Sequence, residues 1–280
     1  MIELMLAPFV ACMLLVAIHG YFGLHVIARG VIFVDLALAQ MAALGATAGL
    51  LLSIAPDSTT AQLLAVGATG VGAAIFALTR TMRVQRVPHE AIIGIVYVVA
   101  SAAAMLIADQ APRGAEHIKD SLVGTILWVT WPTILKDVIA YAAIGALLLA
   151  FRSRFEAISF DPEGAAERGL KVRAWDFLFY LLFGITVTFS VPIAGVLLVF
   201  TFLVVPAVIA FLFFKPPALL MPFVAWATGV VACTLGLWLS YLGDLPTGPV
   251  IVCTFGIVLV GAAVLRRTLP HASGEAGDTA

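Results

Sequence analysis

Apolar residues run along this chain in long blocks instead of alternating singly with polar ones. The blocks fall at 4–27, 31–54, 61–79, 91–108, 122–150, 176–191, 193–214, 218–241 and 249–265. Between them lie short stretches that hold most of the charges and turn residues. A helix needs roughly 20 mostly apolar residues to cross the hydrocarbon core of a bilayer, with tolerance for tilt and breaks. The pattern therefore predicts about nine membrane-crossing helices. The sixth and seventh blocks are divided only by Val191-Pro192-Ile193-Ala194-Gly195. That break is either a turn between two spans or a kink, and irregular backbone is tolerated in a membrane only when buried in protein or facing a cavity. The fifth block opens on Trp128, Trp131 and Pro132. Residues 122–131 read as interfacial or re-entrant, with the span beginning near Thr133. A transmembrane β-barrel is disfavoured, because its strands would alternate apolar and polar residues over about ten positions.

Composition agrees with the pattern. Of 280 residues, 62% are hydrophobic and 11% charged, against about 45–50% and 25% in soluble domains. No long polar stretch is left to build a soluble catalytic domain. A net charge of −1 argues against nucleic acid as a partner. No Lys or Arg precedes Arg29, and the first block is too long for the apolar core of a secretory signal, so it reads as a retained helix. Cys12, Cys233 and Cys253 lie in apolar runs without a CxxC spacing and read as small buried hydrophobes. The second span carries Gly45-Ala-Thr-Ala-Gly49. A small-residue face of this kind serves either packing within one bundle or contact between two copies.

Orientation follows from the basic residues. With 152–175 placed in the cytoplasm, Arg29, Arg80, Arg83, Arg86, Arg152, Arg154, Arg168, Lys171, Arg173, Lys215, Arg266 and Arg267 fall inside, and only Arg113, Lys119 and Lys136 outside. The expected fold is an all-α polytopic bundle: one membrane-embedded domain over 1–267, nine spans, N-terminus out and C-terminus in. An eight-span arrangement with the first helix displaced is the main competitor. The polar, small-residue tail at 268–280 is expected to be disordered.

The usual marks of catalysis are missing: no GxSxG, no HExxH and no GxxxxGK[ST]. Chemistry driven by ATP would need a second chain to hydrolyse it. The longest polar segment, 151–175, holds Asp161-Pro162-Glu163 and Gly169. Asp suits an N-cap, Pro the first helical position, Glu the positive helix end and Gly the C-cap. A helix of under two turns, 162–168, is thus expected at the membrane surface. It would either dock into a soluble partner or rest on lipid headgroups.

Four segments, in order, resemble the permeases of the zinc/manganese/iron family of ATP-binding-cassette importers. They are Gly23-Leu-His-Val-Ile-Ala-Arg29-Gly through Ala37-Leu-Ala-Gln40-Met-Ala-Ala-Leu-Gly45; Phe160-Asp161-Pro-Glu-Gly-Ala-Ala166-Glu-Arg-Gly169; Val191-Pro-Ile-Ala-Gly195 through Pro206-Ala207-Val-Ile-Ala210; and Asp244-Leu-Pro246-Thr-Gly248-Pro249. The resemblance spans about residues 4 to 267. It implies a type II importer-like permease in the bacterial inner membrane and a pore formed by two copies. It also implies separate ATPase subunits, an extracytoplasmic metal-binding protein and a divalent metal ion as substrate. No cofactor of the chain's own is implied. Asp161, Glu163, Ala166, Arg168 and Gly169 then become the ATPase-coupling residues. Members of that family commonly carry Asp and, four residues on, His in the second span. The matching positions here are Leu36 and Gln40. Leucine cannot bind a metal, and glutamine offers only a neutral carbonyl oxygen, a weak ligand for zinc.

Other polar groups remain candidates for the transport path. An ionisable residue inside a span is a functional candidate by default, which selects His19 and Asp35 beside Gln40. Asp35 could instead be an interfacial acid held by its helix N-terminus or by Arg29. His25 is expected to meet headgroups or backbone, and Glu90 to cap the fourth span. On the outer side Glu116, His117 and Asp120 either receive an ion from the delivery protein or form a solvated turn. Three other functions stay open: a permease for a metal chelate or other small solute, a secondary transporter without an ATPase, and an intramembrane enzyme acting on a lipid phosphate. The second would favour a strong internal repeat, and none is evident. The third would want clustered Arg and acid groups at one face, whereas the basic residues are dispersed among loops.

Overall fold

The computed structural model describes residues 2–55, 58–80, 87–110 and 124–268. Their regular structure is helical: α1 (Ile2–Arg29), α2 (Val34–Leu51), α3 (Thr59–Arg80), α4 (His89–Asp109), a 3₁₀ turn (Ile126–Trp128), α5 (Trp131–Ala150), α6 (Arg152–Phe160), α7 (Pro162–Glu167), α8 (Val172–Ala194), α9 (Val196–Phe213), α10 (Met221–Gly243) and α11 (Thr247–Thr268). Nine of these described helices are long and apolar enough to cross a membrane, as the blocks predicted.

The spans form two groups. α2, α3, α4 and α8 pack together, α1 packs with α9 and α10, on which α11 lies, and α5 rests against α1 and α8. In a bilayer, helices gain little from hiding apolar surface, so close approach and packing hold them together. Gly23 of α1 sits against the Leu203 backbone carbonyl of α9, where a Cβ would collide. Gly45 of α2 sits in the same way against the Leu64 carbonyl of α3. The Gly45–Gly49 face thus packs within the chain. Between the groups, Phe22 of α1 meets Phe179 and Phe183 of α8, with ring centroids 5.4 and 4.9 Å apart. α1 and α8 are the most enclosed spans, while α4, α5 and α11 expose most of their surface.

The break after Val191 is a turn between two spans. α8 runs through Pro192 to Ala194, Gly195 ends it at φ +76°, and α9 starts at the next residue. The 3₁₀ segment packs on this turn, with the Thr125 amide donating to the Ile193 carbonyl at 2.9 Å. Gly124, at φ +71°, lies so close to the Ala194–Gly195 backbone that no side chain would fit. The fifth span begins at Trp131, two residues before the expected Thr133. Cys12 and Cys233 are buried as expected, but Cys253 is exposed on α11.

Candidate functional site

α7 forms as its sequence dictates. The Asp161 carboxylate accepts from the Gly164 amide at 3.0 Å and pairs with Arg168 at 3.2 Å. At the other end Gly169 adopts φ +79°, its amide donates to the Ala166 carbonyl, and the Leu170 amide donates to the Ala165 carbonyl. These two bonds are the Schellman pattern that a left-handed glycine permits. Only Ala165 is buried. Asp161, Glu163, Ala166, Arg168 and Gly169 all stand exposed, so the residues singled out in the sequence share one projecting element. Just before it, Glu156 accepts from Arg152 at 2.6 Å on α6 and holds that guanidinium above its ordinary pKa.

Beneath this element lies a polar cluster that sequence reasoning missed. Asp176, in the first turns of α8, is fully buried. One of its oxygens accepts from Arg29, at the end of α1, at 2.6 Å and from Arg80, at the end of α3, at 2.5 Å. Arg29 Nε also donates to Ser159 Oγ at 2.9 Å, and His25 Nδ1 shares a 2.9 Å hydrogen bond with the same hydroxyl. Arg80 Nη2 donates to the Ile158 carbonyl at 3.3 Å. The Arg29 guanidinium lies 3.9 Å from the centre of the Phe179 ring, within reach of a cation–π attraction. Two cations on one carboxylate leave a formal charge of +1 among these three side chains. A signal was present in the sequence: Asp176 opens an apolar block, and an acid inside a span asks for a basic partner.

The intramembrane candidates are not drawn into one site. His19 is buried, and its Nδ1 bonds to the Leu15 carbonyl at 2.9 Å while Nε2 has no hydrogen-bond partner among the described residues. Asp35 is 1% exposed, and neither carboxylate oxygen has such a partner. The expected tie to Arg29 is absent because Arg29 is committed to Asp176. Leu36 and Gln40 are half-buried, one turn apart on the same face of α2. Three further expectations are corrected. His25 is buried and bonds Ser159 instead of headgroups or its own backbone. Glu90 accepts from the Ile32 amide at 2.9 Å, so it fastens the turn before α2 and does not cap its own helix. Arg29 and Arg80 converge on one buried acid instead of being dispersed among loops.

At the opposite end of the bundle, Lys136 of α5 donates to Gln62 of α3 at 2.6 Å. Its neighbour Asp137 is buried, a further intramembrane acid beside Asp35 and Asp176, and one that the sequence reading passed over. One turn on, Tyr141 shares a 2.7 Å hydrogen bond with Ser190 of α8. Glu116, His117 and Asp120 lie outside the described residues, as does the tail beyond residue 268. Among the described residues, no three His, Cys, Asp or Glu side chains converge on a point able to hold a metal ion.

Comparison with known proteins places this geometry in context. A model of the ABC 3 transport family matches residues 1–266. The "Probable metal transport system membrane protein" of Chlamydia muridarum is 31% identical over 181 residues, 64% of this chain and 61% of the relative. The "Chelated iron transport system membrane protein YfeD" of Yersinia pestis is 28% identical over 186 residues, 66% of this chain and 62% of the relative. The chain thus spans under two thirds of the length of these curated relatives. Among solved structures, PsaBC from Streptococcus pneumoniae in complex with Fab superposes with a TM-score of 0.77, covering 92% of this chain and 90% of that one at 22% identity. That likeness is one of fold.

Proposed function

The chain belongs to the ABC 3 transport family, and from that premise we propose that it is the membrane permease of an ATP-driven importer of divalent metal ions. Two copies enclose the pathway. Separate ATPase subunits drive it, and an extracytoplasmic binding protein delivers the metal. The carrying observation is α7: a short, doubly capped helix whose Asp161, Glu163, Ala166, Arg168 and Gly169 are exposed, fused to an α6 that is hydrogen-bonded to the ends of two spans, α1 and α3. Such an element suits a groove on a soluble motor. No step requires covalent chemistry in this chain.

Within the pathway, Gln40 occupies the half-buried face of α2, available to a second copy, whereas His19 and Asp35 become accessible only when helices separate. A bare ion crossing between helices needs ligands that replace its water. The Leu36/Gln40 face supplies a single amide oxygen, and that scarcity favours a chelated metal as a second reading. The Yersinia pestis relative, named for chelated iron transport, agrees with it.

Elemental analysis of cells with and without the chain tests both readings. Reduced manganese, zinc or iron in the deletion strain supports import, and dependence on an added chelator separates chelate from bare ion. Glu163→Lys and Arg168→Glu should abolish accumulation while leaving the chain in the membrane. Both variants should also lose the ATPase in a pull-down. Retention of the ATPase at wild-type strength would overturn the docking role.

A further inference from the structure

We infer that the cluster of Arg29, Arg80, Asp176 and Ser159 is the transmission that passes movement of α6–α7 to the spans, which makes Asp176, Arg80 and Ser159 positioning residues for transport. This rests on the proposed ATPase contact at α7. Three observations carry it.

The first is where the links run. Covalently, α6–α7 hangs between α5 and α8. Its hydrogen bonds reach two further spans: Ser159 to Arg29 of α1, and the Ile158 carbonyl to Arg80 of α3. Both arginines then close on Asp176 of α8. A displacement of the last turn of α6 therefore acts on three spans at once.

The second is which spans they are. α1 belongs to one packing group, and α3 and α8 belong to the other. The cluster sits at the seam between the groups. Rigid-body movement of helix groups about such a seam is a common way for packed helices to switch.

The third is incomplete satisfaction. Both guanidinium groups converge on the same oxygen of Asp176. Among the described residues its other oxygen is buried without a hydrogen-bond partner, while Arg29 also interacts with the neighbouring Tyr180. Buried polar groups are nearly always paired, and exceptions ask for an explanation. A purely structural ion pair would gain from a two-bond fork, which is the strong geometry for arginine and carboxylate. A one-oxygen arrangement beside a second, unpaired oxygen has another arrangement within reach, as a two-state element requires.

The test uses the complete transporter, with its ATPase and binding protein, in proteoliposomes. Radiolabelled manganous ion and ferric citrate serve as the two probes. The readout is metal imported per ATP hydrolysed. Ser159→Ala cuts the link from α6 to α1 and leaves the ion pairs and the Ile158–Arg80 bond in place. Arg80→Gln, at a position whose side chain is 14% exposed, is a second variant should the first fail to fold. Both are expected to keep ATP hydrolysis while metal per ATP falls about tenfold, within the usual range of coupling between sites. A merely structural role would lower uptake and hydrolysis together and leave the ratio unchanged, and that result would overturn the inference. A wild-type complex that hydrolyses ATP but imports neither of these probes nor radiolabelled zinc would instead sink the permease function, and the transmission with it.

Discussion

Asp176→Asn gives the sharpest stability test of the buried cluster. The substitution removes the one negative charge shared by two guanidinium groups. The side chains of Arg29 and Asp176 are 0% exposed and that of Arg80 is 14% exposed, so water reaches only one edge. An asparagine oxygen can still accept, but as a neutral group. Hydrogen bonds to a charged partner contribute about 1.5–3 kcal/mol each, against about 1 kcal/mol for neutral ones. Removing one member of a buried ion pair costs about 3–5 kcal/mol, because the charge left behind has no compensation. Partial hydration of Arg80 puts the expected loss near the lower bound, about 3 kcal/mol. At about 2–4 °C per kcal/mol for larger domains, the unfolding midpoint should fall by about 6–12 °C.

The chain carries its own reporter for that measurement. Cys12 and Cys233 are buried and Cys253 is exposed. In a Cys253→Ser background, a thiol-reactive fluorophore in detergent micelles responds only when the bundle opens. A double-mutant cycle with Arg80→Gln then separates a network from independent contacts. The double variant leaves one unpaired guanidinium instead of two, so it should be less damaged than the sum of the single variants, by about 0.5–3 kcal/mol. A midpoint within about 2 °C of wild type for Asp176→Asn, less than the shift from 1 kcal/mol in a large domain, would refute the reasoning. Additivity within about 0.5 kcal/mol would do the same.

Two further outcomes are expected. Gly45→Ala should lower the stability by about 1–3 kcal/mol, the usual cost of overpacking, because the new Cβ meets the Leu64 carbonyl and lies 2.8 Å from Ala65 Cα, backbone that cannot swing aside. Gly256→Ala, with nothing within 4 Å, should be neutral or slightly stabilising, since alanine favours helix by up to about 1 kcal/mol; equal effects at the two sites would contradict the packing account. Asp35→Asn should raise the midpoint, because it removes a buried carboxylate that no described group satisfies, while metal uptake falls. A lower midpoint would mean that Asp35 is held by contacts that make it structural.

What was legible in the sequence is what short-range physics dictates. The nine spans follow from block length, and α7 follows from Asp161-Pro162 and Gly169, whose capping roles are local. The Pro192–Gly195 break was recognised but left undecided between turn and kink. Proline alone does not end a helix in a membrane, and what ends α8 is the positive φ at Gly195. The ion cluster was not legible for a different reason. Asp176 lies 147 residues from Arg29 and 96 from Arg80, and no periodicity marks a pairing at that distance. Arg29 and Arg80 also fitted the positive-inside pattern well enough to need no other explanation. The intramembrane acids gave a mixed result. Asp35 was found because an ionisable residue inside an apolar span is a functional candidate by default. Asp137 was passed over because Lys136 beside it drew attention to sidedness alone.

The cluster and the unpartnered acid are closer along the chain than their different environments suggest. Arg29 ends α1, and Asp35 occupies the first turn of α2. The turn between them is short and braced. The Gly30 amide donates to the Ile27 carbonyl and the Val31 amide to the Val26 carbonyl, with Gly30 at φ +65°. Glu90 of α4 holds the Ile32 amide. A braced turn of this length has little slack to absorb a shift at its start. On the inference drawn above, displacement of Ser159 pulls on Arg29, and the pull reaches the start of α2 before any softer segment intervenes. Asp35, buried without a described partner, is the group whose free energy responds most to small changes in hydration or nearby charge, because an unpaired carboxylate in a low-dielectric interior is costly. The fold therefore puts its least satisfied acid six residues from the cation that the proposed motor would move. A serine-to-alanine change at Ser159 should accordingly alter the solvent access of Asp35, measurable by carboxyl-directed labelling of the intact transporter. Labelling of Asp35 that is indifferent to Ser159→Ala would show that the two sites act independently.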